Sequence, residues 1–144
     1  MLLGIMLILV FPITACNNAP CAEESEPYWG GNLLSRKMHN TKIKGENVTI
    51  RQAFGDLRTA ERNIRPRQGF ITLRLHLDKH GNFCEQEIFE IDRDYRPTSF
   101  NEGDLGTKLM ATSAALTGWS NATETKTYYL IRFKIENGSI LEIF

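Results

Sequence analysis

Between Gly69 and Leu77 every second residue is a large aliphatic: Ile71, Leu73, Leu75 and Leu77 alternate with Thr72, Arg74 and His76. Successive side chains of an extended chain point to opposite faces, so this period of two predicts a strand with one buried face. Asp78-Lys79-His80-Gly81-Asn82 then offers turn-forming residues and a glycine able to take positive φ, and Phe83 to Ile91 returns as a second strand. Its alternation is imperfect, with Phe89 and Ile91 on one face and Ile88 on the other, which predicts a β-bulge. The same period recurs near the end of the sequence. Tyr129, Ile131, Phe133 and Ile135 form the inward face of a third strand, and Tyr128, Leu130, Arg132 and Lys134 point outward. Asn137-Gly138 is a favoured type I′ pair, so Ser139 to Ile143 is expected to fold back as a short fourth strand.

Two segments carry the helical period instead. Ile50, Ala53, Phe54, Leu57, Ala60 and Ile64 share one face, with Thr49 and Gln52 in a capping-box pattern, and together they predict a helix from about 49 to 63. Gly55 inside it costs about 1 kcal/mol relative to Ala, and Pro66 ends it. Leu105, Leu109, Thr112, Leu116 and Trp119 mark a second helix with Gly118 near its end, and Trp119 and Phe133 are expected at its interface with the sheet. A helix, a hairpin, another helix and another hairpin make an α+β fold: a small antiparallel β-sheet with its helices packed on one face.

Length and composition fit one small domain, 144 residues with 42% hydrophobic content, enough for a single core. Seventeen Lys and Arg balance seventeen Asp and Glu, so there is no net field to draw nucleic acid, and none is expected as a partner. The N-terminal MLLGIMLILVFPITAC is apolar but too short to span a bilayer as a helix of about 20 residues, and it reads as a secretory signal. Its end, Ile13-Thr14-Ala15-Cys16, resembles a bacterial lipobox. Residues 1–15 are then a cleaved signal peptide and Cys16 the lipidation site. A lipid-anchored protein of the bacterial cell envelope is implied, on the outer membrane and facing the periplasm or the cell surface. Residues 16–47 read as tether and irregular segment, and 48–144 as the folded domain. The acidic group Glu23, Glu24 and Glu26 resembles surface-routing signals of some lipoproteins, or is a solvated linker. With Cys16 acylated, Cys21 and Cys84 remain. An oxidising envelope permits a bridge between them, but their placement in a tether and beside a turn makes two free thiols the expectation.

The run GFITLRLHLDKHGNF, the helix ending in Trp119 and the final YYLIRFKIENGSILEIF resemble the C-terminal domain of TonB energy transducers, over about residues 66 to 144. That family's pattern is a glycine before an alternating strand, an Asp-x-x-Gly hairpin, a helix closing on Trp, and a last strand with Phe-Lys-Ile before a glycine turn. The resemblance implies a compact domain that binds an extended segment of an outer-membrane receptor by adding it as a strand, with main-chain hydrogen bonds giving affinity and side-chain pockets giving selection. The recognising edge strand would be Thr127 to Ile135, with Tyr128, Leu130, Arg132 and Lys134 flanking the incoming chain. This sequence departs from the family in lacking the Tyr-Pro pair before the first strand and the proline after the helical Trp. A lipid-anchor motif and five prolines in all also set it apart from a complete transducer, with its inner-membrane helix and long Pro-rich reach.

Little else in the sequence suggests chemistry. His76 and His80 lie four apart, but on a strand and a turn they diverge, so they read as surface histidines and no metal is expected. Asp78, Glu85, Glu87, Glu90, Asp92 and Asp94 are expected to point mostly at water rather than to form an acid pair. Phosphate-loop, nucleophile-elbow and cysteine-protease patterns are all missing. No cofactor is expected, and the chain is read as non-enzymatic. Charge is segregated, however: residues 36 to 67 hold nine Lys and Arg against three Asp and Glu, and residues 78 to 104 hold eight acids against three bases. Intramolecular pairing of these stretches is the expectation, and steering of an anionic partner the alternative. The function expected is binding of an envelope or outer-membrane protein segment, linked to transport. The rival reading is a structural lipoprotein that self-associates through the same edge as a homodimer.

Overall fold

The computed structural model describes residues 41–121 and 127–144. The expected signal peptide, Cys16, Cys21 and residues 16–40 of the expected tether fall outside the described residues. Ten elements follow one another, counting one turn of 3-10 helix: β1 (Thr41–Ile43), α1 (Glu46–Ala53), α2 (Gly55–Ala60), β2 (Gly69–Leu77), β3 (Phe83–Asp92), a 3-10 turn (Phe100–Gly103), α3 (Asp104–Ala114), β4 (Trp119–Asn121), β5 (Thr127–Glu136) and β6 (Ser139–Ile143). The main sheet is antiparallel in the order β3-β2-β5-β6. β1 and β4 form a separate two-stranded pair, with Ile43 opposite Trp119.

The period of two dictates the core. Ile71, Leu73, Leu75 and Leu77 of β2 and Phe133 of β5 are fully buried, and Ile131 and Ile135 nearly so. Phe54, Leu105 and Leu109 join them in one apolar cluster. Phe54 meets Phe133 edge-on with ring centroids 4.9 Å apart, a geometry that sets the positive edge of one ring against the negative face of the other. The α+β class with a small antiparallel sheet is therefore as the sequence implied. The β5–β6 turn also forms as expected, with Asn137 at φ 53° and Gly138 at φ 75°. Ile64 N–H donates to Gly138 O, and Gly138 N–H donates to Arg67 O, so the segment after α2 braces this turn.

Several expectations need correction. The single helix from 49 to 63 is two: it starts at Glu46 and breaks at Phe54, whose ψ of 4° leaves the helical range. Ile50 before the break, Phe54 at it and Ile64 after it are all buried. Nor does the capping box form. Gly45 is the N-cap, and Thr49 Oγ1 donates to Lys44 O at 2.6 Å instead. α3 stops at Ala114, and Gly118 at φ 83° turns the chain so that Trp119 opens β4 rather than closing a helix. Trp119 packs against Tyr129, ring centroids 5.0 Å apart, from β4 rather than from a helix. The packed unit also includes Thr41–Ile43, ahead of residue 48, since Ile43 is 1% exposed.

A bulge is present in the hairpin, but not at the Ile88–Ile91 irregularity that suggested it: the register is continuous there and shifts where His76 pairs with Glu85 and Leu77 with Phe83, leaving Cys84 as the extra residue. Cys84 is disulfide-bonded, which overturns the expectation of two free thiols. Its partner cysteine lies outside the described residues. Lys108 of α3 bridges Glu61 at 2.6 Å and Asp104 at 2.7 Å. The Asp104 and Glu61 carboxylates hold its ammonium above the usual lysine range.

Candidate partner-binding surface

The β2–β3 turn shows how closely this fold uses its polar residues. Asp78 is 3% exposed, contrary to the expectation of a solvated acid, because its carboxylate builds the turn. It accepts from His80 N–H and Asn82 N–H, both at 2.8 Å, and from Asn82 Nδ2 at 2.8 Å. Burial pushes its carboxyl up, but these donors together outweigh burial and hold it below the ordinary aspartate range.

His76 is 9% exposed and is not a solvated surface histidine. It lies on the sheet face away from the core, where its Nε2 donates to Glu87 Oε2 at 2.9 Å. Arg74 Nη1 reaches the same oxygen at 3.1 Å. The His76 hydrogen bond, with Arg74 beside it, outweighs the desolvation that raises Glu87 and holds its carboxyl low. The Arg74 guanidinium also lies over Phe89, 4.9 Å from the ring centroid, and over Tyr128 at 5.4 Å, within cation–π range. Histidine, arginine and carboxylate thus share one structural network. Among the described residues no group of three or more His, Cys, Asp or Glu is placed to hold a metal ion.

Tyr128, Leu130, Arg132 and Lys134, the expected recognition residues, do share one face of β5, but the strand is not an open edge along its whole length. β2 pairs with it from Thr127 to Ile135 on one side. On the other side β6 pairs with Phe133 to Glu136, and Phe144 exchanges both main-chain hydrogen bonds with Arg132. In an antiparallel ladder the residues of such an exchanging pair turn their N–H and C=O groups toward each other, and every second residue repeats that direction. Leu130 therefore turns its main-chain groups to the same side as Arg132. Among the described residues no strand pairs with it there.

Leu130 is 44% exposed, as is neighbouring Phe89 at 45%. With Thr72, Arg74, Ile91 and Arg132 they line a shallow depression of about 280 Å³. Arg132 Nε donates to Thr72 Oγ1 at 3.2 Å, fixing one wall. Apolar side chains, oriented guanidinium groups and a main-chain edge with no strand partner among the described residues meet at this corner.

The opposite sheet edge is shielded differently. Pro97 bridges Ile91, and Thr98 N–H donates to Glu90 O, so the loop after β3 covers the end of that strand. Arg62 bridges Ser139, and Arg58 Nη2 donates to Leu141 O at 2.8 Å, so α2 and the residues after it cap part of β6. The sequence had no signal for these contacts, which join residues 77 and 83 positions apart. Among the described residues no helix is long and apolar enough to cross a membrane. The chain matches no family model, no characterised protein and no solved structure, so any functional reading rests on this geometry and the sequence.

Proposed function

We infer that this chain is a non-enzymatic, lipid-anchored protein of the bacterial envelope that binds an extended segment of another envelope or outer-membrane protein by β-strand addition, as its resemblance to TonB C-terminal domains implies. The observation that carries the reading is the uneven cover of β5. Among the described residues it has a partner strand on both sides from Phe133 to Ile135 but on one side only at Leu130. A main-chain edge of this kind recruits an extended segment, and the adjoining depression supplies side-chain selection. Native sheets usually blunt such edges. Here Pro97 and Thr98 cover the end of β3 and Arg62 covers the start of β6, whereas the Leu130 stretch is flanked by exposed apolar groups.

The test is site-specific photocrosslinking in the native envelope from Leu130, with the exposed Tyr95 and Glu85 as control positions. The reading expects one discrete protein adduct from Leu130, lost when proline is placed at Leu130 in a chain probed from Leu141. A proline there removes only an outward N–H, which edge positions tolerate. Equal adducts from all positions, or an adduct indifferent to the proline, count against strand addition. Adducts only between copies of this chain favour the self-associating structural lipoprotein.

A further inference from the structure

A second depression runs along the outer side of β6. Two connected hollows of about 470 and 270 Å³ share Arg51, Arg58 and Leu141 as walls. One side is the α1–α2 pair and the other is β6 from Ser139 to Phe144. Leu141 and Phe144, 42% and 52% exposed, give the hollow an apolar rim.

Its charge is one-sided. Arg51 of α1, Arg58 of α2 and Arg62 just beyond it all line the larger hollow. Among the described residues none of the three forms an ion pair. Arg58 uses one nitrogen on Leu141 O and Arg62 uses its Nε on Thr59 O, and their other N–H donors remain available. The carboxylates of the hollow are Glu136, which Lys134 holds at 3.0 Å, and Glu142. The expected pairing of the basic 36–67 stretch with the acidic 78–104 stretch does not account for these arginines. Between the two stretches Asn101 N–H donates to Arg65 O, and Arg65 N–H donates to Asn101 Oδ1.

Gly55 is the second observation. It lies in the wall of the hollow at the start of α2. Its φ is not in the left-handed region, and an added Cβ would meet nothing within 4 Å. Glycine in a helix is a cost, and neither packing nor backbone conformation requires it here. What its missing side chain leaves is space beside β6.

We propose that the segment added to this side of the sheet is acidic, with carboxylate side chains that enter the hollow beside β6 and are held by Arg51, Arg58 and Arg62. This rests on the strand-addition reading and adds the partner's chemistry to it. Guanidinium groups bind carboxylates through paired N–H donors, and like charge at the same positions is strongly disfavoured. Glycine at 55 keeps the hollow open to the segment's side chains.

The test uses the full chain and a short capped peptide alternating Glu and Val, a counterpart alternating Lys and Val, and the Glu peptide N-methylated on alternate amides. The Glu peptide is expected to bind at least about tenfold more tightly than the Lys peptide, and to weaken as salt rises. Arg51→Glu and Arg58→Glu should each weaken it about tenfold. Gly55→Leu should do the same by filling the hollow, with an unchanged or raised melting temperature showing that the fold is intact. Equal affinity for the Glu and Lys peptides, no binding of the Glu peptide, or indifference to both Gly55→Leu and Arg51→Glu overturns the proposal. Tighter binding of polyphosphate than of the Glu peptide also overturns it, in favour of an anionic polymer. If N-methylation leaves the Glu peptide's affinity intact, strand addition fails while the acidic preference stands. If both peptides bind equally and methylation abolishes binding, the acidic preference alone fails.

Discussion

Arg132 and Phe144 exchange both of their main-chain hydrogen bonds, at 2.7 Å from Arg132 N to Phe144 O and 3.0 Å in return. This pair carries the β5–β6 ladder one step past Phe133 and Ile143. It fixes the direction of the main chain at Leu130, two residues earlier, and so defines the one stretch of β5 with a single strand neighbour among the described residues.

The Phe54–Phe133 contact joins the break between α1 and α2 to β5 of the sheet. Both rings are fully buried, so Phe54→Ala leaves a cavity as well as losing transfer energy, a cost of about 3–5 kcal/mol. Urea unfolding followed by tryptophan fluorescence should show a lowered midpoint with little change in slope.

The β5–β6 turn should be nearly as sensitive, for a backbone reason. Gly138 has φ 75°, and an added Cβ would come within 3.3 Å of Ile64 N and O. Gly138→Val forces a β-branched residue into left-handed conformation, costing about 1–2 kcal/mol or more. Slower-moving thermal unfolding is not expected; the melting temperature itself should fall, together with protection of the Ile64 amide, which donates to Gly138 O.

Asp78 predicts a pH dependence. Its folded pKa lies below the usual aspartate value, so the stabilisation is complete above the unfolded pKa of about 3.9 and is lost as pH falls through the folded one. Asp78→Asn should be less stable than the wild type at neutral pH. The gap should narrow below about pH 4 in denaturant titrations. A gap that stays constant to acid pH would show that the carboxylate charge plays no part in the turn.

The disulfide of Cys84 tests the lipid anchor. Acylation through the Cys16 sulfur would leave Cys21 as the partner for Cys84. Peptide mapping without reduction should find Cys21 linked to Cys84, and lipid on the peptide that begins at Cys16. A Cys16–Cys84 linkage would contradict lipidation at that sulfur.

Much of the sheet was legible because one residue in two had to be apolar. β2, β5 and β6 lie close to where the alternation put them, and Ile71, Leu73, Leu75 and Phe133 fill the core as expected. The helix break at Phe54 was not legible, since Ile50 and Phe54 satisfy the helical period on either side of it. β1 and β4 span three residues each, too few for a period, and they drew Trp119 out of its expected helix. Long-range polar contacts leave no sequence pattern either, so Asp78 and His76 looked solvated though the fold buries them. At the candidate site the sequence placed Tyr128, Leu130, Arg132 and Lys134 on one face. Which of them kept an open main chain depended on how far β6 runs, and the arginines beside β6 became a group only once α1, α2 and β6 were packed together.

The most direct test of strand addition is the exchange rate of the Leu130 amide, measured by hydrogen exchange in the free chain and with the segment captured by crosslinking. Strand addition predicts rapid exchange in the free chain, slowed about tenfold or more on binding as the N–H gains a main-chain partner, while the Ile131 amide, which faces β2, changes little. A Leu130 amide that exchanges at the same rate when the segment is bound would contradict it.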